Sequence, residues 1–119
     1  MPNYPSLATN VPACLGSDPA VAELYAGLLG ALAAVGAVTA EPKKTCVHLV
    51  NRTGFAGVHP RRGHLNLEIK SSSPIDSPRV AKCEQVSAHR FHNTVPLRAA
   101  AEVDAELLGW LRDAYQLST

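Results

Sequence analysis

The apolar positions of this chain change period twice. Between Asp18 and Gly36, Val21, Leu24, Tyr25, Leu28, Leu32 and Val35 recur at three- and four-residue spacing, which predicts a helix with one buried face. Asp18 suits its N-cap and Pro19 its first position, where a missing N–H costs nothing. Gly36 serves as its stop. Gly27 and Gly30 lie inside it, and close packing of the helix on a sheet is the expected reason. From residue 43 to residue 70 the period falls to two. Three short apolar segments there are separated by the turns Asn51-Arg52-Thr53-Gly54 and Pro60-Arg61-Arg62-Gly63. In the first segment Thr45, Val47 and Leu49 share one face, and Cys46, His48 and Val50 the other. In the second, Gly57 is expected to mark a bulge. In the third, Leu65, Leu67 and Ile69 point one way, and His64, Asn66, Glu68 and Lys70 the other.

Glu41-Pro42 reads as a break before this sheet. The proline-bearing stretch from Ser71 to Pro78 reads as the most mobile loop. Residues 79–86 fit either a helical turn or a poor strand, whereas 89–97 alternate well, with Phe91, Val95 and Leu97 opposite Arg90, His92 and Thr94. Residues 99–117 return to the helical period through Val103, Leu107, Leu111 and Ala114, with Glu102, Asp104 and Glu106 near the start where the helix dipole favours negative charge. The expected fold is therefore α+β: a two-layer sandwich with an N-terminal helix, an antiparallel sheet of four or five strands, and a C-terminal helix. Both helices pack on the Leu65, Leu67, Ile69 face. The other face, with His64, Glu68, Arg90 and His92, is left open or paired with a second copy of the chain, as a homodimer. Residues 1–17, rich in proline, are expected to form an irregular arm ahead of a single domain at 18–119.

Composition changes this picture only in part. With 46% hydrophobic and 5% aromatic residues among 119, the core must be aliphatic. The net charge of +1 is unevenly spread. Residues 41–98 hold ten Lys and Arg against four carboxylates, a net of +6, together with all five histidines, while both flanks are acidic. The odd count of three cysteines argues against a disulfide framework and for a reducing compartment. No basic region followed by a long apolar run opens the chain, and the apolar stretch at 26–38 is too short to span a bilayer. A soluble cytoplasmic protein without membrane contact is expected.

Lys44-Thr45 ahead of a strand is followed by Phe55-Ala56-x-Val58-x-Pro60, Gly63-x-Leu65-x-Leu67 and Asp76-x-Pro78. A histidine-bearing strand at 89–92 and an acidic helix ending in Ala114-Tyr115 complete the series. In this order and spacing the chain resembles the bacterial domain of unknown function 5655 family over residues 44–115. The resemblance implies a compact α+β domain, found alone or appended to other domains, some of them nuclease-like. It brings no established activity and no catalytic residues.

Candidate chemistry falls into three groups. Lys43, Lys44, Arg52, Arg61, Arg62 and Arg90 sit at turns or strand starts. If they converge they neutralise phosphates, and nucleic acid or another anionic partner is implied. Phe55 and Phe91 look like core, so base-stacking aromatics are lacking. His48, His59, His64 and His92 offer a ligand or metal face, with His89 nearby, but no spacing among them is a metal signature and no metal is assigned. A histidine general base needs a partner in reach, for which Glu68, Asp76 and Glu84 are available, Glu68 best through the face it shares with His64. Cys46 is expected to pack as a small hydrophobe, and Cys14 and Cys83 to be exposed thiols. Neither a phosphate-cradling glycine loop nor a Gly-x-Ser-x-Gly elbow occurs, so no cofactor and no catalytic residue is assigned. The leading reading is a non-enzymatic binding module for an anionic partner. A small histidine- or metal-dependent enzyme and an interaction domain acting through a dimer face are the alternatives.

Overall fold

The computed structural model describes residues 18–118; the expected arm at 1–17, with Cys14, lies outside them. Helix α1 spans Pro19–Leu32. Asp18 caps it as the sequence requires, its Oδ1 accepting the Ala20 N–H at 3.0 Å. Val21, Leu24, Tyr25, Leu28 and Leu32 form its buried stripe. Close packing does not explain the two glycines. A Cβ at Gly27 or Gly30 would meet nothing within 4 Å, so neither position needs glycine for space. Gly36 is not the stop either, since the helix ends three residues earlier at an Ala33 cap. Its role is close approach. A Cβ there would lie 2.6 Å from Tyr115 Oη, in a ring held edge-on to Phe55 at 5.5 Å and hydrogen-bonded to the Ala37 carbonyl.

The sheet has six strands, not four or five: β1 Thr39–Pro42, β2 Val47–Val50, β3 Gly54–Arg61, β4 His64–Ser71, β5 Lys82–Ser87 and β6 Arg90–Leu97. Their order is β1-β2-β3-β4-β6-β5, antiparallel throughout. Glu41-Pro42 does not break the chain; it pairs with His48 and Val47, and proline is tolerated because β1 is an edge. The ambiguous 79–86 stretch becomes a turn and then β5 at the other edge. The bulge lies at the β2–β3 ladder, where Leu49 pairs with Ala56 and Val50 with Gly54, so that Phe55 is the extra residue. Gly57 pairs regularly with His48 and Glu68. Pro60 and Arg61 belong to β3, and the hairpin loop shrinks to Arg62-Gly63, with Gly63 at φ 75° in the left-handed region. The loop tip is tied to α1, because Asp18 Oδ2 accepts the Gly63 N–H at 3.1 Å.

Chain entry into the closing helix is stepped. A 3-10 turn at Ala100–Glu102 precedes α2, Ala105–Leu117. Asp104 is its N-cap, with Oδ1 accepting the Leu107 N–H at 3.0 Å. That N–H, and then Arg79, hold the Asp104 carboxyl below the usual carboxylate range. At the other end Asn51 Nδ2 donates to the Tyr115 carbonyl, which also accepts the Ser118 N–H, and the Arg52 N–H donates to the carbonyl of the Ser118 cap, so the β2–β3 turn is tied to the helix end. Both helices cover one sheet face. Leu28, Leu32, Leu107 and Leu111 are buried with Val47, Leu49, Val58, Leu65, Leu67, Ile69, Val95 and Leu97.

The connection between β4 and β5, whose Ser71–Pro78 part the sequence predicts to be mobile, is held within that part by Asn93 and just beyond it by Arg79. Asn93, fully buried, donates through Nδ2 to the Ile69 carbonyl (3.1 Å) and Ser71 Oγ (2.8 Å), and its Oδ1 accepts the Ile75 N–H (3.3 Å). Further on, Arg79 donates to Asp104 (2.9 Å), Glu106 (3.1 Å) and the Glu102 carbonyl (2.7 Å), and lies 5.6 Å from the Trp110 ring centroid.

Urea denaturation should separate the two glycine roles. Gly27→Ala is expected to raise stability by about 0.5–1 kcal/mol, the propensity difference alone. Gly36→Ala is expected to lower it by about 1–3 kcal/mol through collision with a ring that cannot swing away. Asp104→Ala should cost about 1 kcal/mol at pH 7 as a lost cap. Because the folded carboxyl titrates lower than the unfolded one, its charge-dependent stabilisation is present above about pH 4 and is lost as pH falls further. The stability gap between the wild type and Asp104→Asn should accordingly shrink on acidification.

Candidate functional site

The face away from the helices carries every outward position of the alternating strands. Register fixes who meets whom. His48 lies opposite Gly57, Gly57 opposite Glu68, and Glu68 opposite Thr94. One step along, Lys70 lies opposite His92, which in turn lies opposite Glu84. At Gly57 the row has no side chain, and this leaves a hollow of about 180 Å³ lined by His48, Gly54, Ala56, Gly57, His59, Glu68, Lys70 and His92. The His59 ring leans over the gap, its Nε2 only 3.2 Å from where a Gly57 Cβ would sit. Three of the four candidate face histidines are thus brought together. The fourth, His64, lies opposite Arg61 at the hairpin, its Nδ1 3.2 Å from the Arg62 carbonyl oxygen. His89 is exposed in the β5–β6 turn, outside the lining.

The carboxylate partner is Glu68, as expected, but its histidine is His92 rather than His64, with Nδ1 and Oε1 3.5 Å apart. That exceeds the reach at which a base takes a proton directly. Asp76 lies away from this face, beside α2. Among the described residues no group of three or more His, Cys, Asp and Glu is placed to hold a metal ion. Cys46 is buried and Cys83 exposed on β5, as the sequence implied. Lys70 and Gly57 were the members hardest to single out in advance. Each is ordinary in its own strand and acquires meaning only from its cross-strand neighbours.

The six basic candidates do not converge. Successive turns of an antiparallel meander fall at alternate ends of the sheet, so Lys43 and Lys44 share an end with Arg61 and Arg62, whereas Arg52 and Arg90 stand at the other. Lys43 is within 3.7 Å of Glu41, and Arg61 donates to the neighbouring Pro60 carbonyl. Arg90 donates to the His89 carbonyl. Among the described residues no ion pair engages Lys44, Arg61, Arg62 or Lys70. The best-neutralised cation of the middle segment is Arg79, which is structural.

Among the described residues no helix is long and apolar enough to cross a membrane. Neither curated proteins nor solved structures yield a match. A family model described as a domain of unknown function, DUF5655, matches residues 13–118. The match takes in α1 as well as the sheet and α2, reaching beyond the 44–115 stretch that carried the resemblance, and the chain belongs to the DUF5655 family.

Proposed function

We propose that this fold is a non-enzymatic binding module that meets an anionic partner, such as nucleic acid, with one end of its uncovered sheet face. The observation that supports the reading is the grouping of Lys43, Lys44, Arg61 and Arg62 on two turns of the same sheet end, with Arg61 and Arg62 outside any ion pair among the described residues. The two turns stand two strand spacings apart, about 10 Å, a span that one or two phosphate groups along a backbone can bridge. Such contacts neutralise phosphate without reading bases, which suits a surface short of exposed aromatic rings.

Fluorescence anisotropy with short single- and double-stranded DNA and RNA at two salt concentrations tests this. Binding should weaken steeply with salt. Arg61→Ala and Arg62→Ala should each weaken it irrespective of sequence and reduce the duplex salt slope by about one. Arg52→Ala, at the opposite sheet end, should change little. Absence of binding at low salt, or an equal loss at Arg52, rejects the reading. The same face is also what a second copy would bury, so sedimentation across a concentration series, run alongside, distinguishes self-association from nucleic-acid contact.

A further inference from the structure

A cavity of about 480 Å³ lies elsewhere, between the start of the 71–81 connection and α2. This is within the range of small-molecule pockets, about 300–1,000 Å³. We infer that it is a binding site for a small organic cation, an amine or guanidinium on an aliphatic stem.

Four observations carry this. The cavity wall is preorganised. Residues 71–76 form one side, and Asn93 holds both Ser71 and Ile75 in place from the core. Arg79 fixes the far end of the same connection to the start of α2. Second, α2 presents Trp110, Asp113 and Leu117 at three- and four-residue spacing, one stripe along the cavity. Trp110 supplies an aromatic wall, its ring already engaged by the Arg79 guanidinium at 5.6 Å from the centroid, so the ligand's charge is left to the carboxylates and its stem to the apolar surface. Third, the two walls each bring a carboxylate, Asp76 from the loop and Asp113 from the helix, and neither is engaged in an ion pair among the described residues. No Lys or Arg lines the cavity, although the segment from 41 to 98 has a net charge of +6. Fourth, Pro74, Ile75 and Leu117 supply apolar surface between the charged points, which an aliphatic stem would cover. An anion would meet two uncompensated carboxylates, and a neutral apolar ligand would leave both desolvated without a partner. A cation with a short stem leaves neither unmatched.

The chain contains one tryptophan, and it lines this cavity, so its fluorescence gives a direct readout of binding there. The probe is agmatine, which carries a guanidinium and an amine on one stem, titrated at constant ionic strength, with 1,4-butanediol as the uncharged control. Agmatine should produce a saturable change in Trp110 emission, and butanediol none. Asp76→Asn combined with Asp113→Asn, isosteric changes at exposed positions, should weaken agmatine by about tenfold, the loss that one charged hydrogen bond carries. Amide shifts at residues 72–76 in heteronuclear NMR should move with the same affinity. A change that does not saturate, one that butanediol reproduces, or one untouched by the double substitution overturns the inference. None of these outcomes bears on the anion-binding reading of the opposite face.

Discussion

Two helices are narrower than six strands. Helices about 10 Å across, lying side by side, cover about 20 Å, whereas six strands spaced about 4.8 Å apart extend further than that on both sides. The consequences run through the whole molecule. β2, β4 and β6 alternate between buried and outward residues and β3 buries four in a row, while all six residues of β5 are exposed and β1 has none buried. With both helices on one face, the other must be polar, and it is there that His48, His59, His92, Glu68 and Lys70 gather.

The same layout explains the two polar devices on the core side. β5 is the one strand whose predecessor in sequence is not its neighbour in the sheet, because β6 lies between β4 and β5. β4 and β5 both run antiparallel to β6, so the connection must cross β6 lengthwise with its backbone groups outside the ladder, and each such group needs a partner. Near the start Asn93 Oδ1 accepts the Ile75 N–H; at the end Ser77 Oγ accepts the Arg79 N–H and the Thr94 carbonyl the Ala81 N–H, while the Arg79 guanidinium ties the segment to the start of α2. A buried amide with every polar atom satisfied is stabilising where a half-satisfied one would be costly. Among the described residues no buried side-chain nitrogen or oxygen lacks a partner.

Much of this was legible before any coordinates. The α1 stripe, its Asp18 cap, the β4 alternation and the α2 stripe all follow from period and capping chemistry. The edge strands did not, for a physical reason: a strand exposed on both faces has no burial pattern to write into the sequence, and Lys82-Cys83-Glu84-Gln85-Val86-Ser87 carries none. The open face was legible as a list of outward residues but not as a site. Glu68 shares a strand with His64 and yet meets His92, because cross-strand register, not sequence distance, sets the contacts. The basic turns were similarly grouped by charge, while meander geometry sends Arg52 and Arg61 to opposite ends. Glycine was the least informative letter. Gly36 proved a close-approach position, whereas Gly27 and Gly30 have room to spare.

The carboxylate of Asp18 holds two backbone donors at once, the Ala20 N–H on one oxygen and the Gly63 N–H on the other. Neither donor can leave without exposing or orphaning the group that the shared acceptor satisfied. The basic hairpin tip is therefore not an independent flap. Its mechanical state is wired to the first turn of α1, so that a load applied to the arginines beside Gly63 is felt at a helix start on the far layer of the sandwich, through a single side chain acting as a hinge pin.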